Sequence, residues 1–80
     1  MKAVVTIMLK RGVLDPQGKA VEGALHTLGF ADASNVRQGK VIEIDLPDGD
    51  EAKAKASVSA MCEKLLANTV IENYSVDIRR

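Results

Sequence analysis

The chain has 80 residues, and its eleven lysines and arginines are matched by eleven aspartates and glutamates, giving a formal charge of zero and a sequence pI of about 6.6. That balance excludes the broad electropositive field on which binding to nucleic acid or an anionic membrane depends, and no apolar run approaches the ~20 residues a membrane span needs. With 46% apolar and 28% charged residues, the composition is that of one soluble, folded domain spanning 1–80, not of a disordered segment. The first element is a strand over Lys2–Leu9, where Val4, Val5, Thr6 and Ile7 favour an extended backbone. Both of its faces are largely apolar (Val5, Ile7 and Leu9 on one, Val4, Thr6 and Met8 on the other), which predicts a central strand. Those β-branched residues also argue against a secretory leader, and a cytoplasmic location is expected.

Lys10-Arg11-Gly12 ends this strand. Asp15-Pro16 then opens a helix, with Asp15 as N-cap and Pro16 in the first turn, where its missing N–H is not needed. Val21, Ala24, Leu25 and Leu28 recur at helical spacing along one stripe, and Gly29 suits a left-handed cap from which Phe30 folds back on the last turn. Asn35–Leu46 alternates inside and outside, with Val36, Ile42, Ile44 and Leu46 on one parity, and reads as a long strand bent at Gly39. Pro47-Asp48-Gly49-Asp50 is a turn from which Asp48 or Asp50 caps a second helix running from Glu51 to about Ala67. Its stripe is Ala54, Val58, Met61, Cys62 and Leu65, with Asn68 as a left-handed terminator. Tyr74, Val76 and Ile78 give the last strand, Glu72–Arg79, a single apolar face.

The order β-α-β-α-β predicts an α+β two-layer sandwich: an antiparallel three-stranded sheet, strand one central, with both helices on one face. The face bearing Val4 and Met8 is then left without a layer from the same chain, which marks these two residues as homo-oligomer contacts. Size points the same way. A domain this small, without a disulfide or tryptophan and with Phe30 and Tyr74 as its aromatics, gains stability readily from a second subunit.

Candidate chemistry is sparse. His26 lies off the apolar stripe, with Glu22 one turn away as a surface partner. Cys62 lies within a stripe, which favours packing over reactivity, and a lone cysteine builds neither a disulfide nor a metal cage. Glu43/Asp45 and Asp48/Asp50 lack calcium-loop spacing and read as a solvated strand face and a helix cap. Lys10, Arg11 and Lys19 gather about the first helix start, and Arg37 and Lys40 flank Gly39. From Gly12 to Gly18-Lys19 the spacing is one residue too long for a phosphate loop, and the Ser/Thr is missing. Arg11-Gly12-Val13 is similar to the phosphate-binding loop of acylphosphatases, but the glycine-rich remainder of that loop is absent.

A fuller resemblance is carried by the run Lys10-Arg11-Gly12-Val13-Leu14-Asp15-Pro16-Gln17-Gly18, by Leu28-Gly29-Phe30, Val36-Arg37 and Gly39-Lys40, and by Cys62-Glu63-Lys64-Leu65-Leu66-Ala67-Asn68. With these the whole chain resembles the PurS family, the small subunits of phosphoribosylformylglycinamidine synthase, departing from it at Arg11, where the family pattern has proline. The resemblance implies a non-catalytic adaptor in purine biosynthesis. It implies a homodimer or higher homo-oligomer that joins a glutaminase to a large synthetase so that ammonia passes between them. It also implies no cofactor on this chain itself, ATP and Mg²⁺ being used by the synthetase. Exposed polar loop residues are the expected docking surface: Lys10, Arg11, Gln17, Lys19, Arg37 and Lys40. The competing class is a small-ligand-binding regulatory module of ACT-like type.

Overall fold

The computed structural model describes residues 1–80. Strand β1 (Lys2–Leu9) is central in a three-stranded antiparallel sheet, flanked by β2 (Lys40–Asp45) and β3 (Glu72–Arg79). In register, Val5 lies opposite Ile42 on one side and Val76 on the other. Helix α1 (Pro16–Thr27) joins β1 to β2. Helix α2 (Glu51–Met61), extended by a π-helical turn at Cys62–Leu66, joins β2 to β3.

The core is narrow. Ala3, Val5 and Ile7 of β1 are buried against Val58 and Cys62, with Ala67 at the margin. Asp50 starts α2: its side chain accepts the Ala52 N–H at 2.8 Å. The helical stripe breaks at the end of this helix for a geometric reason. In the π-helical turn the Ala67 N–H reaches back five residues to the Cys62 carbonyl (3.0 Å), so the hydrogen-bonded loop holds one residue more than an α-helical one and the stripe shifts by a residue. The side chain that turns inward is therefore Leu66, not Leu65, which is 83% exposed.

Three further expectations are corrected. Asn35–Leu46 is not one bent strand: β2 begins at Lys40, and residues 35–39 run as irregular backbone. Gly39 there marks a close approach, since a Cβ on it would collide with Met8 Sδ and stand 2.6 Å from the Ile7 carbonyl oxygen. The left-handed non-glycine residue is Asn35 (φ 53°), not Asn68. Asn68 instead accepts the Val70 N–H through its side chain.

The two helices also differ in their relation to the sheet. α2 packs on β3 and, through Val58, on the buried side chains of β1, whereas α1 makes no comparable contact with any strand and projects from the sheet. The molecule measures 49 × 26 × 14 Å, with a radius of gyration of 16.0 Å, against the roughly 12 Å expected of a compact chain of this length. The stripe meant for a sheet is consequently in solvent: Val21 and Leu28 are exposed, as are Leu14 and Phe30 beside them. The end of α1 does form as expected. Gly29 takes a φ of 99°, its N–H binds the His26 carbonyl at 3.1 Å, and the Phe30 N–H binds that of Leu25 at 2.9 Å, the paired closure of a Schellman cap.

Candidate functional site: the basic corner between β1 and α1

β1 ends in a turn in which the Val13 N–H reaches the Lys10 carbonyl at 3.0 Å, while the Lys10 N–H is held by the Ile71 carbonyl at 2.8 Å. The chain then enters α1 through Asp15, which is 5% exposed. One Asp15 carboxylate oxygen accepts the Gly18 N–H at 2.9 Å, as an N-cap should. The other accepts the Gln38 N–H at 2.7 Å. One side chain thus starts the helix and ties it to the segment leading into β2. The Gln38 and Gly18 N–H groups, helped by the Arg37 guanidinium, hold the Asp15 carboxyl below the ordinary carboxylate range.

A second tie lies one turn along. Glu22 accepts the Val36 N–H at 3.1 Å, and that bond depresses its carboxyl in the same sense. Gly18 is required by this junction, because a Cβ there would collide with the Val36 carbonyl oxygen and stand 2.9 Å from an Asp15 carboxylate oxygen. Arg37 completes it: its Nη2 donates to the Lys10 carbonyl at 3.1 Å, and its Nε lies 3.9 Å from Asp15.

Of the six residues expected to form the docking surface, the structure gathers Arg11, Lys19 and Arg37 around one cavity, with Asp15 in its wall. Lys10, Gln17 and Lys40 lie outside that cavity. Lys10 is half-buried at the end of the sheet, Gln17 is exposed on the first turn of α1, and Lys40 approaches Glu72 at 4.0 Å. The sequence showed Asp15 as a cap through its Asp-Pro signal. Its second bond, and the carboxylate of Glu22 on the Val36 N–H, depend on residues 14 to 23 positions away and carried no local signal.

The remaining candidates have structural duties. His26 Nε2 lies 2.6 Å from the Ala33 carbonyl on the exposed side of α1. Cys62 is fully buried, and burial, reinforced by Glu63, pushes its thiol up, away from the thiolate form a nucleophile needs. Asp48 pairs with the amino group of Met1 at 2.8 Å. Glu43 is on the outer sheet face, 3.3 Å from Lys2. Val4 and Met8 share that outer face, where Val4 sits in register between Glu43 and Asp77, so its strand neighbours are charged. Further exposed apolar side chains lie on α1 and at its two ends, at Leu14, Val21, Leu28 and Phe30.

Comparison with known proteins identifies the family of the whole chain. Residues 2–80 match the family model described as PurS, phosphoribosylformylglycinamidine (FGAM) synthase. A phosphoribosylformylglycinamidine synthase subunit PurS from Synechocystis is 49% identical over 74 residues, covering 92% of this chain and 74% of the relative. The crystal structure of Methanocaldococcus jannaschii PurS superposes with a TM-score of 0.90 at 43% identity, covering 99% of this chain and 95% of that one. A chain in the structure of PurLQS from Thermotoga maritima superposes with a TM-score of 0.85 at 30% identity, covering 95% and 93%.

Proposed function

The chain belongs to the PurS family, and from that membership we infer that it is the non-catalytic adaptor subunit of phosphoribosylformylglycinamidine synthase, holding the glutaminase and the ATP-dependent synthetase together in purine biosynthesis. The observation that carries this reading is the likeness over nearly the whole chain to a component of the PurLQS assembly. The side chains support it. The one thiol is buried with its pKa raised, the one histidine is engaged with a backbone carbonyl, and the carboxylates of the basic corner bind backbone N–H groups. What the chain offers is surface.

Such a role has a physical logic. Ammonia released from glutamine is a nucleophile only while unprotonated, so its passage must be kept from bulk water. Holding two active sites in fixed relation achieves this by geometry. The ATP and Mg²⁺ of the reaction belong, on this reading, to the synthetase, and the work takes place in the cytoplasm. No helix of the chain is long and apolar enough to cross a membrane.

The adaptor acts as a homodimer or higher homo-oligomer. A projecting helix with Val21, Leu28 and Phe30 in solvent, beside a sheet whose Ile42, Ile44 and Leu46 are only partly covered, supplies two apolar surfaces that a second copy would close. Val4 and Met8, with Val41 beside them, give a smaller contact strip on the outer face. Arg11, Gln17, Lys19 and their neighbours Lys10, Arg37 and Lys40 are the surface assigned to the larger subunits.

Reconstitution tests the reading. Synthetase and glutaminase mixed with this chain should give glutamine-dependent turnover, and omitting the chain should abolish it while ammonia-dependent turnover persists. Full glutamine-dependent activity without the chain would refute the adaptor role.

A further inference from the structure

The β1–α1 corner forms a half-open cavity of about 870 Å³, within the range of about 300–1,000 Å³ typical of small-ligand sites. Its lining has two characters. Met8, Leu14 and Val36 contribute apolar surface to it, and Arg11, Lys19 and Arg37 contribute three cations. Asp15 in the wall, 3.9 Å from Arg37 Nε, and Glu22, 3.9 Å from Lys19 Nζ, each offset one positive charge in part, while Arg11 has no counter-charge, so the three cations are only partly compensated. They also keep donors free. Arg11 has no partner within the chain, Lys19 approaches Glu22 only at 3.9 Å, and Arg37 bonds carbonyls through Nη2 alone.

We propose that this cavity binds a small ligand bearing a phosphoryl group on a largely apolar or planar body, of the nucleoside monophosphate class. Two guanidinium groups and an ammonium match a doubly charged group with three oxygens better than a carboxylate with two. The apolar lining residues give the ligand body surface to cover, and the volume exceeds what a bare anion would occupy. The inference rests on the geometry of this chain alone; Arg11, Lys19 and Arg37 also belong to the surface assigned above to the larger subunits, so the ligand would be held where those subunits dock.

Calorimetric titration of the full chain tests it, with AMP as the probe and inorganic phosphate and adenosine as separate arms. AMP should bind saturably and more weakly as salt is raised, phosphate more weakly than AMP, and adenosine not at all. Arg11→Gln and Lys19→Gln, both at exposed positions, should each weaken AMP by about tenfold, the loss expected for one charge-assisted hydrogen bond. Lys64→Gln, on the exposed side of the π-helical turn, should leave binding unchanged. The proposal is overturned if AMP does not bind saturably, if adenosine or phosphate alone binds as tightly as AMP, or if Arg11→Gln binds like the parent chain. None of these results touches the reconstitution experiment, so the two readings fail separately.

Discussion

Two glycines in the same helix should respond to alanine in opposite directions. Gly18 and Gly23 both lie within α1, and by helix propensity alone each replacement should stabilise by about 1 kcal/mol. At Gly23 nothing stands within 4 Å of the added Cβ, so that gain should appear in full. At Gly18 the Cβ meets the Val36 carbonyl oxygen and an Asp15 carboxylate oxygen. Neither is the free end of a flexible side chain: Val36 is held by Glu22, and Asp15 by Gly18 and Gln38. Forcing an extra carbon into such a site costs about 1–3 kcal/mol, and a backbone obstacle puts the cost in the upper part of that range. The helix gain offsets only part of it, leaving Gly18→Ala less stable by about 1–2 kcal/mol. The two variants should thus differ by about 2–3 kcal/mol, a separation in Tm on the order of 10 °C for a domain of this size. Thermal and urea unfolding followed by circular dichroism, at one fixed protein concentration because self-association shifts Tm, would measure it. If Gly18→Ala stabilises the chain as Gly23→Ala does, the junction between α1 and the segment entering β2 is not the tight contact described.

Asp15 has a folded-state pKa below its ordinary value of 3.8, so its stabilising effect is complete above that value and is lost as pH falls through the depressed one; Asp15→Asn should lower stability at neutral pH and flatten the acid limb of the pH–stability curve, and an unchanged acid limb would contradict the bonding described. Gly39→Ala should destabilise, because the added Cβ faces the Ile7 carbonyl and Met8, and hydrogen exchange at the β1–β2 pairing would show the loosening. Cys62 should react with a thiol reagent at pH 8 far more slowly than in the unfolded chain, since burial keeps its thiol protonated, and Cys62→Ser should cost about 2 kcal/mol by burying a hydroxyl in an apolar setting. Leu28→Asp, at a position 73% exposed within one chain, should leave the circular dichroism spectrum intact yet shift sedimentation towards the monomer; an unchanged oligomer would remove α1 from the self-association surface.

The order of elements, the central place of β1 and the starts of both helices were legible in the sequence because their signals are local. β-branched runs, Asp15-Pro16, Asp50 and the Gly29 cap act within a few residues of where they stand. The resemblance to the PurS family was legible for the same reason, being carried by short contiguous runs. Arg11, Lys19 and Arg37 could be marked as exposed and basic, but their convergence on one cavity could not, since Arg37 reaches the corner through carbonyls 27 and 28 residues away. Tertiary structure decided the rest. Residues 35–39 alternate like a strand, yet the bonds from their backbone to Asp15 and Glu22 occupy N–H groups that a sheet ladder would have needed. The stripe on α1 showed that an apolar partner is required without showing whose it is. Periodicity encodes a need for burial, whereas the partner is set by where the connecting loops let the helix lie, and here they carry it clear of its own sheet.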